Sequence, residues 1–276
     1  MCSRARERYS RSYTQTRTNT HTHTGSRGIG LMIAKAYVEN GAKVYVSSRK
    51  KEACDLVARE LTRLGPGTAI SMPADISSDA GCKELAERIG RRETRIDVLV
   101  NNAGVTWGSP FETFPEMAWE RVMTLNVASV FHMTRACVPL LREASEGNLN
   151  PSHVINITSV AGHPDSAPPN DIAPSYSASK AACNKLTRTL AGFLNKYNIC
   201  VNAIAPAVFP SRMTHDHMLA DEDRKAVTRS IHPVGRVGNE LDMAGAALFL
   251  ASKASAFVTG TVLNLDGGSV AIRSGL

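Results

Sequence analysis

The sequence predicts an α/β fold in which a single domain is built on a doubly wound parallel sheet. Three observations lead to this prediction: β-prone runs alternate with amphipathic helical stretches, a glycine-rich turn opens the first helix, and polar residues follow the strand ends. Such alternation is typical of parallel strands joined by crossover helices that cover both faces of the sheet. A chain of 276 residues with 43% hydrophobic content is long enough to bury a large core.

The first helix is predicted to begin in a glycine-rich turn with the sequence Gly25-Ser26-Arg27-Gly28-Ile29-Gly30. Apolar residues then recur at helical spacing, at Ile29, Ile33 and Ala36, and Gly41 is placed to end the helix. Glycines let a backbone approach a pyrophosphate closely, and the free N–H groups at a helix start face its negative charge. The turn therefore indicates a phosphate site, although many short glycine motifs bind nothing.

A strand over 43–48 follows, then the basic run Arg49-Lys50-Lys51 and a helix to about Leu64. The end of this strand carries no acidic residue. In dinucleotide-binding folds an Asp or Glu at this place holds the ribose 2′-hydroxyl, whereas an Arg accommodates the additional phosphate of NADP. Arg49, helped by Arg27, therefore favours NADP(H) as the cofactor. The alternative is that Arg49 is only a solvated basic residue at a helix start.

The middle of the chain continues the alternation. A short strand over 68–72 precedes Asp75 and Ile76, a helix runs from Ser78 to about Arg92, and a buried strand over 96–101 breaks at Asn102-Ala103-Gly104. Helices near 116–143 and a strand over 154–158 come next. Ligands of doubly wound sheets bind at the carboxyl ends of the strands. The residues predicted to lie at that edge are Gly25, Arg49, Asp75, Asn102 and Ser159.

The last third completes the predicted sheet. Four prolines between residues 162 and 174 forbid a helix there, so this stretch is predicted to be a loop. A helix over 175–195 and a strand over 200–205 follow. The stretch 206–231 leaves a strand end and is predicted to shape a substrate pocket, as lid segments often do. A helix near 241–251 and a strand over 260–265 close the order of elements.

Tyr176 and Lys180 are four residues apart in the predicted helix over 175–195 and therefore lie on one face of it. A free phenol has a pKa of about 10, and a neighbouring ammonium favours the phenolate and lowers that pKa. Such a pair suits acid catalysis by a phenol. A Tyr-x-x-x-Lys spacing also arises by chance, so the pair carries weight only together with the other motifs.

A series of short motifs occurs in an order and spacing that are highly specific when taken together. They are Ser26-Arg27-Gly28-Ile29-Gly30, Asp75, Asn101-Asn102-Ala103-Gly104, Leu125-Asn126-Val127, Thr158-Ser159-Val160-Ala161-Gly162, Tyr176-x-x-x-Lys180, Val201-Asn202-Ala203-Ile204-Ala205-Pro206 and Asp266-Gly267-Gly268. With these motifs, residues 25–270 resemble the short-chain dehydrogenase/reductase family, which has a Rossmann-like fold. Details such as Ser48-Arg49-Lys50 and Phe209-Pro210-Ser211 are most similar to 3-oxoacyl-acyl-carrier-protein reductases of the rhamnolipid-biosynthesis type.

The resemblance implies a catalytic set of four residues. Tyr176 would protonate the carbonyl oxygen of a ketone, Ser159 would anchor that oxygen, Lys180 would hold the nicotinamide ribose, and Asn126 would hold a water near Lys180. Taken alone, Asn126 is equally explained as a helix cap and Ser159 as a loop hydroxyl. The implied cofactor-binding residues are Gly25, Ser26, Arg27, Gly28, Ile29, Gly30, Arg49, Asp75, Ile76, Asn102, Ala103, Gly104, Tyr176, Lys180 and Pro206.

The implied activity is the NADPH-dependent reduction of a ketone, a small-molecule or acyl-carrier-bound carbonyl such as a 3-oxoacyl thioester, to a secondary alcohol. The motifs recognise a carbonyl group but not the rest of the substrate. A reductase of steroids, polyols or secondary metabolites is therefore the alternative enzyme activity. The resemblance also implies a homodimer or homotetramer built from the helices near 116–143 and 175–195.

Composition limits the partners and the compartment. The net charge is +7, but residues 1–24 hold five arginines against one glutamate, so the remainder is nearly balanced and offers no basic stripe for nucleic acid. No apolar run approaches the ~20 residues of a membrane span. Six scattered cysteines form no metal-like cluster and fit reduced thiols in the cytoplasm. The Arg- and Ser-rich start also resembles a mitochondrial transit composition, without its apolar face.

The start of the chain departs from the family pattern. Residues 1–24 form a polar leader, predicted to be disordered or atypical, ahead of a cofactor-binding domain over 25–276. If Gly28 keeps its register, Thr24 replaces the first glycine and residues 19–23 occupy the first strand, where unpartnered polar side chains would be costly. We therefore expect an atypical first strand, as from an altered start. A catalytically impaired chain that acts as a binding or dimerisation partner is the alternative to an active enzyme.

Overall fold

Parallel strands joined by helices make up the computed structural model, which describes residues 20–24, 27–145, 147, 149–164, 173–211, 214 and 221–273, with the backbone alone described for 20–24 and 272–273. The strands are β1 (Thr20–Thr24), β2 (Lys43–Ser47), β3 (Thr68–Ser71), β4 (Val98–Asn101), β5 (Ser152–Ile157), β6 (Ile199–Pro206) and β7 (Val262–Leu265). The helices are α1 (Gly28–Glu39), α2 (Lys51–Leu64), α3 (Asp79–Gly90), α4 (Glu116–Met123), α5 (Ser129–Ser145), α6 (Pro174–Leu194), α7 (Glu222–Ser230), α8 (Glu240–Leu250) and α9 (Ser269–Arg273).

The strand order is β3-β2-β1-β4-β5-β6-β7, and every pairing between neighbours is parallel. The order reverses between β1 and β4, which is the point where a doubly wound sheet opens a crevice for a ligand. The predicted fold class, a single doubly wound parallel sheet of Rossmann-like type, is confirmed. Most predicted element boundaries agree with the structure to within about two residues.

The core lies on both faces of the sheet because alternate residues of each strand point to opposite faces. In β4, Val98 and Val100 pack in a cluster with Tyr37 and Met243, whereas Leu99 packs in a second cluster with Leu141. Burial on both faces explains the consecutive apolar residues Val98, Leu99 and Val100 of β4.

Strand β1 lies at the centre of the sheet and pairs with β2 on one side and β4 on the other. Thr22, for example, is in register with both Tyr45 and Leu99. The leader predicted over residues 1–24 therefore overlaps the sheet in its last five residues, which are ordered as a strand. The register considered from the sequence, a first strand over 19–23, differs from the observed strand by one residue. Residues 1–19 lie outside the described part of the chain.

Two helix starts near the sheet edge follow from local capping. Ser78 caps α3, since its Oγ accepts a hydrogen bond from the Gly81 N–H at 3.1 Å. Asn239 and Asp242 form a reciprocal capping box at the start of α8. The loop predicted over 162–174 and the lid predicted over 206–231 are described only in part, because residues 165–172, 212–213 and 215–220 lie outside the described ranges.

Candidate active site

A cleft of about 1120 Å³ opens at the carboxyl ends of the strands, on the side predicted for the ligand. It brings together most of the residues named from the sequence. Those that line it are Arg27, Gly28, Ile29, Arg49, Asp75, Ile76, Asn102, Ala103, Gly104, Tyr176 and Lys180. Gly30, Asn126, Ser159 and Pro206 do not line the cleft in the described residues, and Gly25 and Ser26 lie outside the described part of the chain.

The glycine turn supplies one end of the cleft. Gly28 has a φ of +56°, in the left-handed region that favours glycine, and starts helix α1. The Arg27 side chain makes no capping hydrogen bond to the first turn, so the first N–H groups of α1 remain available to an anion. A Cβ on Gly28 would lie 3.2 Å from the Cβ of Ser211. The turn and Ser211 thus form a narrow cradle that a larger residue would fill.

The neighbouring wall of the cleft, after β2, is basic. Ser48, Arg49 and Lys50 line it, and no carboxylate comes directly after the strand. Asp75, after β3, is held as an anion: hydrogen bonds from the Ser77 backbone N–H and side chain lower its pKa, and the Arg49 charge adds to this. Asp75 is therefore a hydrogen-bond acceptor beside a basic pocket.

Lys180 and Tyr176 lie together on the first turns of α6. Lys180 is only 5% exposed, and its Nζ donates a hydrogen bond to the Ile157 carbonyl at 3.0 Å and lies 5.5 Å from the centre of the Tyr176 ring. A Cβ on Gly104 would lie 3.5 Å from this Nζ and 3.3 Å from the Asn126 Oδ1. Glycine at position 104 therefore keeps open the space beside the lysine.

Asn126 is 1% exposed and lies in a π-helical segment, Thr124–Ala128, that joins α4 to α5. Such segments are frequent at functional sites because they push side chains out of the regular α-helical register. The Asn126 Oδ1 accepts from the Val105 N–H, and its Nδ2 donates to the Val105 carbonyl, both at 2.9 Å. Because the helix continues on both sides, Asn126 is not a helix cap, which removes that alternative.

Ser159 follows β5 and begins a short 3-10 turn, Val160–Gly162. Its Oγ accepts from the Ala161 N–H at 3.2 Å and lies 3.5 Å from the Pro206 carbonyl at the end of β6. The turn packs tightly on α6: a Cβ on Gly162 would lie 2.5 Å from the carbonyl carbon of Lys180. This packing links the loop that carries Ser159 to the helix that carries Tyr176.

The sequence interpretation missed some residues that line the cleft. Ser211 was noted only as a resemblance to a subfamily, yet it faces Gly28 across the cradle. Thr106 and Arg121 also line the cleft. Their own types do not place these residues in the cleft, because their positions depend on how the loop after β4, helix α4 and the loop after β6 approach the sheet.

Comparison with known proteins gives one consistent result. Residues 24–270 match the family described as Enoyl-(Acyl carrier protein) reductase. The chain is 45% identical over 244 residues to the rhamnolipids biosynthesis 3-oxoacyl-[acyl-carrier-protein] reductase of Pseudomonas aeruginosa, which covers 88% of this chain and 93% of that protein.

Two solved structures extend this likeness. The Pseudomonas aeruginosa RhlG/NADP active-site complex has a TM-score of 0.85 at 43% identity, covering 91% of this chain and 96% of that one. A gluconate 5-dehydrogenase from Burkholderia cenocepacia, in complex with NADP and tartrate, has a TM-score of 0.83 at 30% identity, covering 92% and 95%.

The described residues offer neither a membrane-spanning helix nor a cluster of metal ligands. No helix among them is both long and apolar enough to span a bilayer. Nor do three or more His, Cys, Asp or Glu side chains in this part of the chain cluster as metal ligands.

Proposed function

Since this chain belongs to the short-chain dehydrogenase/reductase family, we propose that it reduces a ketone to a secondary alcohol with NADPH. The observation that carries the proposal is the arrangement of one cleft. One part of it holds Tyr176 beside the buried Lys180, and another holds Arg27 and Arg49 with no carboxylate after β2. A phenol beside an ammonium suits proton donation, and a basic wall suits the additional phosphate of NADPH.

The residues present fit this cofactor. Arg27 and Arg49 would hold the 2′-phosphate, and the N–H groups of the glycine turn at the start of α1 would hold the diphosphate. Asp75 and Ile76 would border the adenine, with Asn102, Ala103 and Gly104 on the ribose side, and Lys180 would hold the nicotinamide ribose. Pro206 would border the nicotinamide from the end of β6. When bound, NADPH supplies the hydride.

The protein's own residues would manage the substrate oxygen. Tyr176 donates its hydroxyl proton to that oxygen as negative charge develops on it. Ser159 donates a hydrogen bond to the same oxygen and so fixes the carbonyl. Its separation of 3.5 Å from the Pro206 carbonyl is long for a hydroxyl hydrogen bond, so the hydroxyl can turn to a substrate at little cost. Asn126 would hold a water near Lys180, as the family resemblance implies.

A 3-oxoacyl thioester is the proposed substrate class, by analogy with the Pseudomonas aeruginosa reductase. The gluconate 5-dehydrogenase likeness favours a polyol-derived ketone as the second candidate. A panel that compares NADPH oxidation with an acetoacetyl thioester, 5-ketogluconate and a 3-ketosteroid separates these classes. A kcat/KM for the thioester at least about tenfold above the others supports the proposal, and the reverse order refutes the substrate class.

Cofactor binding separates a working reductase from a chain that is silent because its altered start no longer binds NADPH. A ligand that binds only the folded state stabilises it by about 2.7 kcal/mol at a hundredfold excess over its dissociation constant. We therefore expect the melting temperature to rise on titration with NADPH and to rise less with NADH. An unchanged melting temperature at millimolar NADPH would favour the silent alternative.

The proposal includes a homodimer or homotetramer. Large apolar side chains on the relevant helices support it: Trp119 on α4 is 43% exposed, Phe131 on α5 38% and Phe193 on α6 67%. Burying such side chains between copies would remove apolar surface from water. Light scattering coupled to gel filtration gives the molar mass. A mass of one chain at micromolar concentration would refute this part of the proposal.

A further inference from the structure

Ser179 is completely buried in α6, one residue before Lys180, and bonds on both sides to residues of the proposed site. Its Oγ accepts a hydrogen bond from the Asn126 Nδ2 at 2.9 Å and donates its own proton to the Tyr176 carbonyl at 2.7 Å. A serine hydroxyl has a single proton, so these two roles fix the direction of both hydrogen bonds.

The Asn126 amide is fixed in the same way. Its Oδ1 faces the Val105 N–H and its Nδ2 faces the Val105 carbonyl, so the orientation of the amide is determined by the backbone. Both Nδ2 protons are used, one by the Val105 carbonyl and one by Ser179. Asn126 therefore has no side-chain proton left for a ligand, and its side chain acts through what it positions.

These contacts form one continuous bridge from the loop after β4 to the first turn of α6. It runs from the Val105 backbone through Asn126 and Ser179 to the backbone of Tyr176. Val105 lines the cleft, as does Tyr176. The two walls that the bridge joins are thus the walls between which a substrate would react.

We propose that Ser179 is a positioning residue: it sets the rotation of the turn that carries Tyr176 and Lys180 relative to the Val105 wall. The Lys180–Ile157 hydrogen bond and the packing of Gly162 hold α6 from the β5 side, and the bridge holds it from the Val105 side. A displacement of about 1 Å at a reacting group can reduce the rate by about 100-fold. The bridge opposes that displacement. The expected change in kcat rests on the proposed function, whereas the hydrogen bonds of the bridge do not.

The test compares Ser179→Ala with Ser255→Ala. Ser255 is also completely buried, and its Oγ lies 3.0 Å from the carbonyl oxygens of both Leu250 and Ser252, which share its single proton, away from the cleft. Both variants lose a buried hydroxyl, so both should lower the melting temperature. Only Ser179→Ala should lower kcat, by about 10- to 100-fold, and move the alkaline limb of the kcat–pH profile, with the KM for NADPH within about twofold of the parent.

A second measurement needs no activity. In the cofactor-free protein, hydrogen–deuterium exchange at the Val105 amide should accelerate in Ser179→Ala and stay at the parent rate in Ser255→Ala, because Asn126 holds that amide. Ser179→Cys keeps a weak donor and should give intermediate values in both measurements. It serves in place of the alanine variant if that variant does not fold.

The inference would be overturned if Ser179→Ala and Ser255→Ala had equal kcat values and equal exchange rates at the Val105 amide. It would also be overturned if the Val105 amide of Ser179→Ala exchanged at the parent rate. If the parent turns over no ketone, the proposed function fails. The exchange experiment then still decides whether Ser179 positions the Val105 wall.

Discussion

Gly162 is a position where a single added methyl group should disturb the proposed catalytic residues. A Cβ there would lie 2.5 Å from the carbonyl carbon of Lys180, 2.6 Å from the Ala181 nitrogen and 2.8 Å from the Lys180 oxygen, whereas ordinary contacts begin near 3.4 Å. The obstacle is backbone, which has no rotamer to change. The φ of Gly162 lies outside the left-handed region, so the cost of an alanine is steric and not conformational.

Gly162→Ala must therefore move the loop after β5 away from α6 by about 1 Å. This motion separates Ser159 from Tyr176, and we expect kcat for ketone reduction to fall by about 100-fold. Overpacking of this kind also costs about 1–3 kcal/mol of stability. Steady-state kinetics and urea unfolding of the purified variant measure both effects.

Gly192→Ala, on the helix α6 against which Gly162 packs, is the matched control. A Cβ at Gly192 meets nothing within 4 Å. Alanine in an exposed helix interior is about 1 kcal/mol more favourable than glycine, so this variant should be slightly more stable than the parent and equally active. If Gly162→Ala retained the activity and stability of the control, the packing of the Ser159 loop against α6 would not be as described.

Two further predictions concern the cofactor and acid stability. Arg49→Ala should raise the dissociation constant for NADPH by at least about tenfold and leave that for NADH nearly unchanged, since only NADPH carries the 2′-phosphate; a fluorescence titration in which both weaken equally would contradict it. Burial lowers the pKa of His153 to about 4. Below pH 6.5 the unfolded chain therefore binds a proton that the folded chain does not bind. The free energy of unfolding should fall by about 3 kcal/mol between pH 6.5 and pH 4. In His153→Leu the free energy of unfolding should depend less on pH over that window. If urea unfolding gave the same pH dependence in both proteins, the lowered pKa of His153 would be refuted.

The fold was predictable because the alternation of apolar strands and amphipathic helices is a property of the sequence itself. Strand β4, with four apolar or amide residues between polar segments, shows this clearly. The place of strand β1 followed from the glycine register and not from its own composition. Its Thr and His residues indicated a disordered or atypical leader, whereas counting back from Gly28 put a first strand over 19–23. The backbone over 20–24 pairs with both β2 and β4, and pairing with two neighbours is a tertiary property that no local pattern contains.

The site residues likewise fall into those that local spacing predicts and those that depend on tertiary contacts. Tyr176 and Lys180 could be paired from the sequence because helical spacing alone brings them together. The partners of Asn126 could not, since they depend on a π-helical segment and on the approach of Val105 and Ser179 from other elements. Ser211 was likewise found only from the position of its loop across from Gly28.

The proposed reaction depends on the Tyr176 hydroxyl, which supplies the proton to a ketone oxygen. Tyr176→Phe removes that oxygen and little else, and Tyr197→Phe removes a hydroxyl from a ring that contacts Arg142 and Lys196, outside the residues that line the cleft. We expect kcat for NADPH-dependent ketone reduction to fall by about 10²- to 10⁴-fold in Tyr176→Phe, with the dissociation constant for NADPH nearly unchanged, and to stay at the parent value in Tyr197→Phe. A Tyr176→Phe protein that reduced the ketone as fast as the parent would contradict this role.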